Sequence, residues 1–195
     1  GPGINDNGTG TSALLSLAQK FSSENFESTN RIRFAFWGAE ELGLIGSTHY
    51  VENASQSELN KILANLNFDM LGAPNYVRFI YDGDGSDGPE AGPTGSDVIE
   101  EMFEDHFRVN ELPFSSTSFD GRSDYGPFIA VGIPAGGLFS GAEGVKTTDE
   151  KLIFEGESGI EYDKCYHLEC DSRENVNDKG FEEMYAAVVS VTKLM

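Results

Sequence analysis

A mostly apolar run, Ile32 to Trp37, stops abruptly at Gly38, and two adjacent acids, Glu40 and Glu41, follow almost at once. An apolar run bounded by glycine reads as a buried strand. In an open α/β sheet the working groups gather just beyond the carboxyl ends of the strands. Carboxylates brought to such a place are costly unless something pairs with them. The same acids also suit the first turn of a following helix, where they complement its dipole. On this stretch alone both readings stand.

The rest of the chain alternates in the same manner. A Gly/Asn/Asp-rich loop over residues 1–10 precedes a helix capped by Thr9 or Thr11, with Leu14, Leu17, Ala18 and Phe21 on one face. Arg31 to Trp37 predicts a strand. Glu41 to about Asn53 predicts a helix in which Leu42, Ile45 and His49 share one face and Gly43 and Gly46 weaken the propensity. A short helix is expected over 55–62, and strands over 63–70, with Asp69 near its end, and 76–81. Gly95 to Phe107 has helical periodicity, and 109–118 should be extended. Ile133 to Phe139 leads into a Gly-rich loop, and 141–164 reads as a long loop with at most short helical turns. Phe181 to Met195 closes the chain as a helix. Strands alternating with helices make the class α/β with a largely parallel central sheet.

A length of 195 residues is one domain's worth of chain. Thirteen Lys and Arg against 33 Asp and Glu give a net charge of −20. Such a field repels nucleic acid and anionic membrane surfaces and favours cations; most of the acids serve solubility. No apolar run approaches the length of a membrane span. Gly1-Pro-Gly-Ile-Asn-Asp-Asn-Gly reads as the interior of a loop, so the chain is expected to begin within a longer polypeptide. Cys165 and Cys170 are spaced to pair as a small loop in an oxidising compartment. Asn7 and Asn53 open glycosylation sequons, Asn53 being the better candidate. The stretch Asp82-Gly-Asp-Gly-Ser-Asp-Gly-Pro has the glycine spacing of a phosphate cradle, but Asp84 and Asp87 between the glycines would repel a phosphate. It also departs from the EF-hand pattern at the sixth and twelfth positions. It reads as an exposed acidic loop.

Of three histidines, His49 reads as a partly buried packing residue and His106 as a surface residue. His167 lies in an irregular segment between the cysteines, beside Tyr166. Asp6, Glu41, Asp69 and His167 each sit in a loop or just past a strand, where a parallel sheet collects functional groups.

Gly1-Pro-Gly-Ile-Asn-Asp-Asn-Gly-Thr-Gly, Trp37-Gly-Ala-Glu-Glu-Leu-Gly-Leu-Ile-Gly-Ser, Leu66-Asn-Phe-Asp-Met, Asp120-Gly-Arg-Ser-Asp and Tyr166-His167 occur in this order. Together they resemble the M28 zinc aminopeptidases, particularly the secreted bacterial and fungal leucine aminopeptidases, over essentially the whole chain. The resemblance implies a three-layer α/β sandwich about a largely parallel, mixed sheet, and two zinc ions. It implies that Asp6 bridges both ions, that Glu41 and His167 complete one, and that Asp69 serves the other. It gives Glu40 the role of general base and Tyr166 that of a donor to the oxyanion. Met70, Gly121, Arg122 and Phe139 match the neighbourhood of the substrate's side chain and amino terminus. The family's second zinc also takes a histidine from a strand shortly before the bridging Asp. That residue precedes Gly1, so the missing N-terminal strands and ligand are expected from an upstream segment or a complementing chain, and the 195 residues alone are not expected to be competent.

The chemistry of the residues agrees. Two metal ions held close together activate water and clamp developing charge. A carboxylate that does not bind metal can carry a proton from the water to the leaving amine, which suits Glu40. A phenol can donate to an oxyanion, which suits Tyr166. An acidic site attracts the α-ammonium of a peptide with a free N-terminus. The expected activity is removal of large apolar N-terminal residues such as Leu by a secreted enzyme. The alternatives are a glutaminyl-cyclase-like relative and a metal-depleted module that binds peptides or proteins.

Overall fold

The computed structural model describes residues 1–195. Seven α-helices and four short strands follow one another: α1 (Gly10–Ser23), α2 (Ile45–Asn53), α3 (Gln56–Leu59), β1 (Asn65–Phe68), β2 (Phe79–Tyr81), α4 (Ser96–Val109), β3 (Ser115–Thr117), α5 (Gly126–Ala130), β4 (Ala135–Phe139), α6 (Thr148–Phe154) and α7 (Asp178–Leu194). The strands form one mixed sheet in the order β1-β4-β2-β3. β1 runs parallel to β4 and β2 parallel to β3, while β2 and β4 are antiparallel. The expected α/β architecture with a largely parallel, mixed sheet is what forms.

The three long helices lie on one face, and each presents an apolar stripe at helical spacing. Ala13, Leu17 and Phe21 come from α1, Ile99, Phe103 and Phe107 from α4, and Met184, Ala187, Val188 and Val191 from α7. They meet Phe68, Ile80 and Leu138 of the sheet. Burying each large side chain contributes about 1.5–3 kcal/mol. Alternation along the strands sends Phe79, Tyr81 and Phe139 the other way, into satellite clusters with Phe154, Tyr125 and Tyr162. That second face carries the cavity described below. Central β4 is glycine-rich because its neighbours press on it: a Cβ on Gly136 would lie 2.4 Å from a methyl of Ile99, and one on Gly137 1.9 Å from the Asn67 carbonyl.

Several expectations are corrected. Residues 31–37 are extended, but they form no strand and make no backbone–backbone hydrogen bond. Ile32 and Phe34 pack against the main core while Phe36 is half exposed, so the apolar pattern picks a face but no neighbour completes a ladder. The helix expected from Glu41 splits. Glu40–Leu42 is a 3₁₀ turn, Gly43 and Leu44 adopt positive φ (99° and 56°), and α2 starts only at Ile45. Leu42 is 75% exposed and Ile45 half exposed, and His49 is exposed, its Nδ1 3.2 Å from Asn53 Nδ2. The packing face is Ser47 and Val51 instead. α6 rises within the expected long loop, started by a reciprocal cap between Thr147 and Glu150. The acidic loop is anchored rather than wholly exposed: buried Asp82 accepts the N–H groups of Gly85, Ser86 and Asp87, and Glu100 those of Gly83 and Asp84.

Candidate metal centre and active site

Five functional side chains expected from the sequence converge at the carboxyl end of β1 and the loops around it. Asp6 lies in an irregular π-type turn, Ile4–Thr9, that opens directly into α1. Two buried acids position that turn. Asp171 accepts the N–H of Asn5 at 2.8 Å and of Asp6 at 3.1 Å, and Asp163 accepts the Asn5 side-chain amide at 2.7 Å. Asp163 also accepts the N–H of Cys165 and the amide of Asn175. Asn7 is consumed within the fold, accepting from Gly10 and Met70 N–H and donating to Phe68 O. Its sequon is therefore sealed, whereas Asn53 is exposed at the end of α2.

Glu40 and Glu41 sit side by side in the 3₁₀ turn, after Ala39 in the left-handed region (φ 58°). Ser47 Oγ donates to Asp124 at 2.5 Å and ties α2 to the 120–125 loop behind this turn. Asp69 follows β1 directly and is succeeded by Met70, again with positive φ (59°). His167 has φ 58°. Its loop is closed by a disulfide between Cys165 and Cys170, as expected. Non-glycine residues in the left-handed region are uncommon and cluster where surroundings over-determine the backbone; three of the seven here adjoin or are site residues.

His167 Nε2 stands 3.1 Å from Asp6 Oδ2 and 3.0 Å from Glu41 Oε1. The ligand-type atoms of these three residues all lie within 4.8 Å of one another. Asp69 lines one cavity together with Asp6 and His167. Its Oδ2 accepts from Ser123 Oγ at 2.6 Å, and that hydroxyl in turn accepts from the Asn67 amide at 2.9 Å. Its Oδ1 is buried without any partner. Burial, with repulsion from Asp69, Glu41 and Glu40, pushes Asp6 up to about 8. Burial, with repulsion from Asp69, Asp124 and Glu41, pushes Glu40 up to about 7 against the pull of Arg122. Burial raises Asp69 to about 6, opposed by the Ser123 hydrogen bond. Four neighbouring acids with an orphaned carboxylate oxygen, beside an imidazole, form a donor set suited to divalent cations. A cation would relieve the mutual repulsion and give Asp69 Oδ1 its missing partner.

A cavity of about 280 Å³ adjoins this cluster. Its lining includes a ring cluster, Phe79 with Phe139 and Tyr162 at centroid distances of 6.0 and 5.3 Å, together with Met70 and Tyr81, and also Arg122, Glu143 and Tyr166. The Tyr166 ring stacks on His167 with centroids 3.8 Å apart, and its hydroxyl lies 3.4 Å from Arg122 Nη2. Burial and the Asp6 carboxylate push that phenol up to about 12, so it holds its proton at neutral pH. Met70, Arg122 and Phe139 therefore line the cavity with Glu40, Tyr166, Asp6, Asp69 and His167. Gly121 stands one step behind: its φ is 78° and its N–H donates to Tyr125 Oη. The residues that sequence reasoning missed are those that position the others: Asn67, Ser123, Asp163 and Asp171. Ser123 lies inside the Asp120-Gly-Arg-Ser-Asp motif and was within reach; the two buried acids flank the cysteines, with no local pattern to mark them.

With this geometry in view, the chain compares clearly with known proteins. It is 50% identical over 192 residues to an aminopeptidase of Pseudomonas aeruginosa, covering 98% of this chain and 35% of that protein. It is 50% identical over 177 residues to leucine aminopeptidase 2 of Arthroderma otae, covering 91% of this chain and 35% of that protein. Its fold matches a solved zinc aminopeptidase of Bacillus subtilis with a TM-score of 0.77 and 28% identity, covering 98% of this chain and 42% of that one. The chain thus spans about a third of the length of the curated relatives it matches. The sequence profile of peptidase family M28 matches residues 1–192, and the chain belongs to that family.

Proposed function

We propose that this chain carries most of the catalytic centre of a secreted zinc aminopeptidase that removes large apolar, Leu-like N-terminal residues from peptides. The observation that carries the reading is His167 Nε2 within 3.0–3.1 Å of both the Asp6 and Glu41 carboxylates, beside the orphaned Oδ1 of Asp69. Asp6, Glu41 and His167 would hold one zinc, and Asp6 would share a second with Asp69. Zinc, when bound, polarises a carbonyl and makes water a nucleophile at neutral pH.

The chain's own residues do the rest. Glu40, which no cation pairs, receives the proton of the attacking water on its carboxylate and delivers it to the departing amine. The Tyr166 hydroxyl donates to the oxygen that gains charge. The surrounding acids attract the substrate's α-ammonium, and the ring cluster of the cavity takes its first side chain. The disulfide supports placement in an oxidising compartment, as secretion would give. The test is zinc content and hydrolysis of leucine p-nitroanilide by the full-length protein. Bound zinc with turnover is expected; no zinc and no turnover, with peptide binding intact, would show a binding module instead.

A further inference from the structure

Arg122 is the only permanently cationic side chain lining the cavity, and its ion-pair partner is Glu143 rather than an acid of the candidate metal centre. Its Nη1 lies 2.7 Å from Glu143 Oε1, while its Nη2 lies 3.4 Å from the Tyr166 hydroxyl. Glu143 sits on the loop after β4, which the backbone bonds Asp163 N–H to Ala142 O and Tyr162 N–H to Gly144 O fasten to the 162–163 segment. The Arg122 and Glu143 side chains are 56% and 54% exposed. They therefore form a solvated rim of the cavity beside Tyr166.

A substrate whose first side chain meets the ring cluster and whose first carbonyl meets Tyr166 must lead its next residue out past this rim. We infer that the Arg122–Glu143 pair sets specificity for the second residue of the peptide, with Glu143 acting as a positioning residue that orients and neutralises Arg122. This rests on the aminopeptidase reading above. With Glu143 in place, the rim presents a paired, nearly neutral face that admits neutral second residues and discriminates little between acidic and basic ones. Without the Glu143 charge, Arg122 becomes an uncompensated cation that attracts acidic second residues and repels basic ones.

The test compares Leu-Glu-amide with Leu-Lys-amide, each C-terminally blocked, as substrates of the zinc-loaded full-length protein and of its Glu143→Gln variant. Glutamine keeps a hydrogen-bond acceptor for Arg122 but loses the charge. The ratio of kcat/KM for the Glu peptide over the Lys peptide should rise about two- to fivefold, the scale an exposed ion pair supports, with the change mainly in KM. Adding salt should shrink the difference. Glu182→Gln, an exposed acid on α7, controls for the loss of one charge from the whole protein and should leave the ratio where it was. A ratio unchanged in Glu143→Gln, or shifted equally by Glu182→Gln, would overturn the inference while leaving the aminopeptidase reading intact. Failure of the unsubstituted protein to cleave either peptide would instead overturn that reading.

Discussion

Replacing Ser123 with alanine isolates the contribution of the residue that holds Asp69. The Ser123 hydroxyl has one proton. The Asn67 amide donates to its oxygen at 2.9 Å, so that proton points to Asp69 Oδ2 at 2.6 Å. Alanine removes the only hydrogen bond Asp69 accepts through its side chain, because Oδ1 has none. A hydrogen bond to a charged group is worth about 1.5–3 kcal/mol and a neutral one about 1 kcal/mol. At about 1.4 kcal/mol per factor of ten, zinc should bind about 10- to 100-fold more weakly, the range typical of groups that orient metal ligands. The metal-free protein provides a second readout. The serine favours the carboxylate anion, so its loss carries the folded-state pKa of Asp69 above about 6. The folded state then binds its proton over a wider range than the unfolded chain, and stability falls further as pH rises. The cost of the substitution in urea unfolding should be near 1 kcal/mol at pH 5, where Asp69 is protonated, and larger at pH 8. Chelator competition at pH 7.5 measures the affinity. An affinity within twofold of the unsubstituted protein, together with equal costs at the two pH values, would refute the role given to Ser123.

Three further outcomes follow from the same geometry. Glu40→Gln should retain zinc while turnover of leucine p-nitroanilide falls about 10²- to 10⁴-fold, the usual weight of a general base; near-normal rates would remove Glu40 from that role. Asp6, Glu40 and Asp69 have folded-state values of about 8, 7 and 6, all above those of an unfolded chain. The metal-free fold therefore binds more protons than the unfolded chain between about pH 4 and 8, and its Tm should fall as pH rises through that window. Zinc loading should flatten the slope, and a metal-free protein with a level profile would contradict the electrostatics. Replacing both Cys165 and Cys170 with serine opens a loop only five residues long in sequence, so unfolding should lose about 2 kcal/mol. Zinc affinity should drop as well, because His167 loses its brace; unchanged affinity, measured by chelator competition, would make the disulfide a simple surface staple.

The acids and the histidine that the structure gathers were the legible part of this candidate site. Asp6, Glu41, Asp69 and His167 stand in short motifs, and the structure brings Asp6, Glu41 and His167 into mutual reach with Asp69 on the same cavity. The groups that hold them were not legible. Asp171 and Asp163 serve Asn5 from 166 and 158 positions away, and a buried acid that accepts backbone N–H groups imposes no spacing on its neighbours. The three long helices followed from apolar periodicity, because each buries one stripe against one core. Residues 31–37 carry an equally clear pattern yet form no strand, since periodicity records which side chains turn inward and not whether a neighbouring backbone is present to pair. The break before α2 turned on Gly43 and Leu44 at positive φ, a backbone choice that the apolar positions of Leu42 and Ile45 disguised.

The long reach from Asn5 to Asp171 also bears on the order in which this protein comes together. Bringing the ends of about 160 residues into register costs roughly 4–5 kcal/mol of chain entropy by the (3/2)RT ln n scaling. Packing of α1 against α7 in the core already closes a loop of that length, so the Asp6 turn and the His167 loop are expected to meet once that core has formed. The candidate metal centre would then form late, with low φ-values expected for the Asp6 turn and the His167 loop. A metal bound there would act as a lock on the finished fold, slowing its unfolding and leaving the rate of folding nearly as it was.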